Sequence, residues 1–153
     1  MSVSRLVLDA SVGIKIFVQE DLSDAAQRLV GLALEDRFFQ LHVPDLFYAE
    51  CANVLWKNAR FQRLSNGEVL ADLKDLTSIP LHVTSTRGLI ETALAAALRF
   101  DIAAYDACYV VLAEQLNAPL VTVDQEMIRR LKGSKHLLRL LDEKSDVREY
   151  FRV

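Results

Sequence analysis

Four acidic residues occupy positions where an unpaired carboxylate is costly. Asp9 closes the apolar run Leu6-Val7-Leu8, and Asp124 closes Pro119-Leu120-Val121-Thr122-Val123. Each therefore sits at the C-terminal end of a predicted buried strand. In an open parallel sheet that edge binds ligands, near the point where strand order reverses. Asp106 falls in the first turn of a helix predicted in YDACYVVLAE, and Glu50 interrupts the apolar stretch LFYAECANVLW. A carboxylate there must be paired, hydrogen-bonded or bound to a cation. Asn53 and Lys57 follow Glu50 at i+3 and i+7 and share its helix face. An oxygen-only set with no Cys or His suits Mg²⁺ or Mn²⁺. Without a cation, four neighbouring carboxylates would repel one another and raise some of their pKa values. Two such ions about 3.5–4 Å apart can activate a water and stabilise the leaving oxygen in phosphodiester hydrolysis. Structural explanations compete with this one. Each Asp suits a helix N-cap, and Glu50 suits a buried ion pair with Lys57 or an arginine elsewhere.

The elements that must position these residues alternate along the chain. Strands are predicted at Leu6–Leu8, Phe39–Val43, around Leu81–Val83, at Pro119–Val123 and around Leu137–Leu141. Helices are predicted from Ser11 to Val18, Leu22 to Leu34, Asp45 to Arg60, after Ser65, across Ile90–Leu98 and from Tyr105 to Gln115. Phe47, Cys51, Val54 and Leu55 form a core stripe on the third of these, and Ser65 with Glu68 has capping-box spacing. Such alternation favours an α/β fold, a parallel sheet with helices on both faces.

Composition narrows the class. The 153 residues are 52% hydrophobic and 25% charged, with only 5 Gly and 3 Pro, which fits one globular domain over residues 1–153 without linkers. No apolar run approaches the roughly 18–20 residues of a membrane span, and the N-terminal segment carries Asp9 and Lys15 without a cleavage pattern. Cys51 and Cys108 read as buried free thiols, so a cytoplasmic location is expected. The net charge of −3 argues against a general nucleic-acid coat but leaves room for a local basic groove.

The ordered set LVLDAS, VPDLFYAECANVLW, YDACYVVLAE and PLVTVD resembles the PIN-domain nucleases, and most of all the VapC-type toxins of prokaryotic toxin–antitoxin pairs. The resemblance runs over about residues 4–130. It implies a three-layer α/β/α domain around a central parallel sheet of four to five strands. It implies that Asp9, Glu50, Asp106 and Asp124 bind one or two Mg²⁺ or Mn²⁺ ions, supported by Ser11, Asn53 and Thr122. It further implies an endoribonuclease acting on a tRNA or ribosomal RNA, a homodimer, and silencing by a cognate antitoxin. The segment after Gly133 matches nothing in the family pattern.

RNA binding requires positive charge. Lys57, Arg60 and Arg63 follow Glu50, and Arg129, Arg130, Lys132 and Lys135 follow Asp124, so both clusters are candidates to flank the site. Glu126 is expected in a first helical turn, facing solvent, and Tyr105 and Tyr109 are expected to pack in the core or at a dimer contact. The histidines His42, His82 and His136 share no metal-ligand spacing. Other classes fit less well. A haloacid-dehalogenase-type phosphatase needs an Asp where Ser11 stands, a receiver domain needs an acidic pair and a late Lys, and no P-loop is present. A catalytically silent PIN-like binding module is the alternative, and retention of all four carboxylates weighs against it.

Overall fold

Five short strands run parallel in the order β3-β2-β1-β4-β5. They are β1 (Ser4–Leu8), β2 (Phe39–Pro44), β3 (His82–Thr84), β4 (Leu120–Thr122) and β5 (Leu138–Leu140) in a computed structural model that describes residues 2–153. Strand order runs outward from β1 on one side and from β4 on the other, so the switch point lies between them. Both strands read as continuous apolar runs because they are covered on both faces. Leu6, Val7, Leu8, Leu120 and Val121 are all buried.

Among the described residues, seven α-helices flank the sheet: α1 (Ala10–Gly13), α2 (Ser23–Glu35), α3 (Leu46–Arg60), α4 (Asn66–Ser78), α5 (Ile90–Phe100), α6 (Ala104–Leu116) and α7 (Gln125–Arg130). The helix expected over Ser11–Val18 is shorter, because after Gly13 the chain tightens into a 3₁₀ turn at Ile14–Ile16. Along α3, Phe47, Cys51 and Leu55 are buried as the stripe predicts, but Asn58 completes it and Val54 is only half-buried. The Ser65–Glu68 capping box is formed at the start of α4. Both cysteines are free and buried.

Three local features fix the elements that matter for the site. First, Gly13 lets α1 approach α3 closely, since a Cβ there would lie 2.5 Å from Phe47 Cζ. Second, α6 is buried on every side from Ala107 to Ala113, packed against β1, β2, β4 and α5. Third, Asp101 takes a left-handed φ of 53° at the end of α5, which turns the chain directly into α6.

The segment beyond Gly133 joins this architecture. It pairs β5 parallel to β4, and a closing 3₁₀ turn at Val147–Phe151 packs on α2 and β1. Phe151 meets Phe39 edge-on at 4.9 Å. No helix among the described residues is long and apolar enough to cross a membrane.

Candidate active site

The register between β1 and β4 builds the first half of the site. Val7 faces Leu120 and Leu8 faces Val121, so the next step sets Asp9 level with Thr122. The Asp9 N–H donates to the Val121 carbonyl at 3.1 Å, which locks its backbone. Its Oδ2 accepts from Ser11 Oγ at 2.5 Å and from Thr122 Oγ1 at 2.8 Å. The carboxyl is buried, and burial pushes its pKa up; the two hydroxyls and the Ala10 N–H draw it back, and Asp124 adds to the rise. Asp9 precedes α1 without capping it through its side chain.

The same two hydroxyls reach the other strand end. Thr122 Oγ1 accepts from the Asp124 N–H at 3.0 Å, and Ser11 Oγ accepts from the Val123 N–H at 3.3 Å. Asp124 is also an N-cap, as its residue type allowed. Its Oδ1 accepts from the N–H groups of Glu126 and Met127 at 2.9 and 3.0 Å, at the start of α7. Capping occupies one oxygen only. Among the described residues Oδ2 makes no hydrogen bond, so the structural explanation and the functional one coexist in this residue.

Glu50 and Asp106 approach from two helices. Glu50 is half-buried on α3, and its Oε1 accepts from the Tyr109 hydroxyl at 2.7 Å. Burial raises its pKa, the Tyr109 bond lowers it, and Asp9 raises it again. Asp106 lies in the first turn of α6, where no donor among the described residues reaches it. Burial, then Asp9, Asp124 and Glu50, push its pKa up to about 6. No Lys, Arg or His forms an ion pair with any of the four among the described residues, so the buried pair suggested for Glu50 with Lys57 is not formed.

Four carboxylates from four parts of the chain thus act on one another with no basic partner among the described residues. No three of them close into a finished cage of ligands among the described residues. The donor chemistry nevertheless fits a hard divalent cation. All four groups are carboxylates, and burial first, then Asp9, Asp124 and Glu50, raise the Asp106 pKa with no hydrogen bond to offset them.

The PIN-domain sequence profile matches residues 6–133. The chain belongs to the PIN-domain family. Within that family it is 37% identical over 128 residues to ribonuclease VapC3 of Pyrobaculum aerophilum, covering 82% of this chain and 94% of the relative. It is 34% identical over 119 residues to ribonuclease VapC9 of Mycobacterium tuberculosis, covering 78% of this chain and 85% of the relative. It is therefore a PIN-domain protein of the VapC family. The crystal structure of PAE2754 from Pyrobaculum aerophilum superposes with a TM-score of 0.66 at 28% identity, over 89% of this chain and 83% of that one. A VapBC2 structure from Rickettsia felis, bound to a promoter DNA fragment, shares the fold at a TM-score of 0.61 and 14% identity, over 90% of this chain and 99% of that one.

The remaining sequence candidates separate. Ser11 and Thr122 support Asp9 directly. Asn53 is exposed on α3 and makes no side-chain hydrogen bond among the described residues. Lys57, Arg60 and Arg63 are exposed and unpaired among the described residues, with Arg60 lying over the Trp56 ring at 5.3 Å. Arg129 and Arg130 are already engaged. Both pair with Glu126, and Arg130 also binds Asp101, so their charge is neutralised within the chain. His42 stacks on His82 at 4.7 Å, its partner in the β2–β3 register. Tyr109 is the residue whose part sequence reading missed. It packs in the core as expected, but a phenol in an otherwise apolar row signals a hidden hydrogen-bond partner.

Proposed function

We propose that this PIN-domain protein is a divalent-cation-dependent endoribonuclease, the toxin of a type II toxin–antitoxin pair. One observation carries the reading: four carboxylates at the switch point of a parallel sheet load one another electrostatically without a basic partner. Asp9, Glu50, Asp106 and Asp124 would hold Mg²⁺ or Mn²⁺, as one or two ions. When bound, such an ion supplies an acidified water and neutralises charge developing on the phosphodiester oxygens.

The chain's own residues do the positioning. Ser11 and Thr122 hold Asp9 in one orientation, and Thr122 also anchors the backbone of Asp124. Asp124 commits Oδ1 to α7 and keeps Oδ2 for the site. Asp106 loses its proton readily once positive charge is near, since only burial and like charges hold the proton on. Lys57, Arg60 and Arg63, which follow Glu50 in sequence, are the side chains assigned to RNA phosphates. Arg129 and Arg130 would have to leave Glu126 to join them.

The expected substrate is a tRNA or ribosomal RNA, and the expected partners are a cognate antitoxin and a second copy of the chain. The relatives' name, VapC ribonuclease, supports the activity, and the VapBC2 complex supports an antitoxin partner. Residues 1–153 are read as one PIN-like unit working in the cytoplasm. The test is cleavage of a pool of tRNA and ribosomal RNA with Mg²⁺, with Mn²⁺ and with EDTA, beside Asp106→Asn. Discrete cuts that need the cation and vanish in the variant are expected. Equal cutting by the variant, or cutting in EDTA, would overturn the reading.

A further inference from the structure

We propose that Tyr109 is a positioning residue for the cation site: its hydroxyl aims the Glu50 carboxylate. Helix α6 would then supply both a ligand, Asp106, and the group that orients the acid on α3. The inference rests on reading the four carboxylates as a cation site.

Tyr109 is fully buried within the row Ala107–Ala113, whose other side chains carry no N–H or O–H group. A phenol there is unfavourable unless its hydroxyl finds an acceptor. The acceptor is Glu50 Oε1 at 2.7 Å, from a residue 59 positions away in the chain. Among the described residues the hydroxyl has no other hydrogen bond, and Glu50 has no other donor. Both halves of the pair are thus committed to each other.

Helical spacing makes the arrangement economical. Tyr109 follows Asp106 by three residues, so both lie on one face of α6. A close-packed ring keeps its rotamer, and a fixed donor on Oε1 restricts rotation of the Glu50 carboxylate while leaving Oε2 unengaged. A hydroxyl that served only to hold the fold would affect stability alone, and that difference makes the role testable.

The experiment compares wild type, Tyr109→Phe, Glu50→Gln and the double variant. Mn²⁺ affinity is read by calorimetry, metal-free stability by thermal melting, and cleavage by initial rates on a total tRNA pool. Tyr109→Phe is expected to weaken Mn²⁺ binding by about tenfold and to lower the saturated rate by roughly 10–100-fold. The half-saturating RNA concentration should stay within about twofold, because no RNA contact is removed. Adding Tyr109→Phe to Glu50→Gln should change nothing further, because the tyrosine acts through the glutamate. Wild-type Mn²⁺ affinity and rate in Tyr109→Phe would overturn the proposal. So would a full additional loss in the double variant, or a Tyr109→Phe chain that no longer folds, since the hydroxyl would then serve the fold. A wild type that neither binds Mn²⁺ nor cleaves RNA would bring down the cation-site reading itself.

Discussion

Two charge clusters meet at the start of α7, where Asp124 of one stands two residues before Glu126 of the other, and they follow opposite rules. In the outer one, Glu126 is matched by Arg129 and Arg130, and these partners pull its pKa down to about 2. In the inner one, Asp106 meets burial and three other carboxylates, and its pKa rises to about 6. Both are carboxylates in the first turn of a helix, a position that favours negative charge. The difference is the partner. The outer cluster is balanced within the chain, whereas the inner one has no basic partner among the described residues. Charge that a fold leaves unbalanced at a sheet's switch point marks a site more reliably than charge alone.

The comparison can be broken most severely at Asp106. Asp106→Asn should reduce RNA cleavage by roughly 100-fold or more while preserving shape. The same variant should raise the melting midpoint of the metal-free protein, because it removes a repelled charge. The pH dependence follows from the same shift. The folded-state pKa of Asp106 is raised from 3.8 to about 6, so between those values the folded protein binds more protons than the unfolded chain. The contribution of Asp106 to metal-free stability is then fully present below the unfolded value and is lost as pH rises through about 6. Thermal melts across pH 4–7 should show this fall as the difference between wild type and Asp106→Asn, the variant gaining on the wild type as pH rises.

Smaller effects sharpen the contrast. Ser11→Ala removes one donor from Asp9 and the acceptor for Val123 N–H. It should cost about 1–2 kcal/mol by denaturant titration and lower cleavage by roughly 10–100-fold. Gly13→Ala sets a methyl against the Phe47 ring and should cost about 1–3 kcal/mol, because α1 and α3 must separate. Glu126→Gln, in the balanced outer cluster, should leave cleavage unchanged and the melting midpoint within about two degrees. A large effect there would mean that the outer cluster holds the inner one in place.

Much of this contrast was legible in the sequence, for identifiable reasons. Parallel strands buried on both faces appear as unbroken apolar runs, so the positions of Asp9 and Asp124 stood out. Glu50 stood out because nothing around it in α3 is acidic. The pairing of Glu126 with Arg129 and Arg130 follows i+3 and i+4 spacing, yet the same arginines are RNA-contact candidates in the sequence because they follow Asp124. The bonds from Arg130 to Asp101 and from Tyr109 to Glu50 join residues far apart in the chain and have no local signature. Strand order and the parallel pairing of β5 depend in the same way on long-range contacts.

The most direct test of the inner cluster is a thermal melt at pH 7.5 across a Mn²⁺ titration, with wild type and Asp106→Asn side by side. A ligand that binds only the folded state raises its stability by about 2.7 kcal/mol at 100 times its Kd. The wild-type midpoint should climb with Mn²⁺ concentration, and that of Asp106→Asn should start higher and barely move. Parallel climbs in the two proteins, or no climb in either, would contradict the claim that these four carboxylates form a cation site.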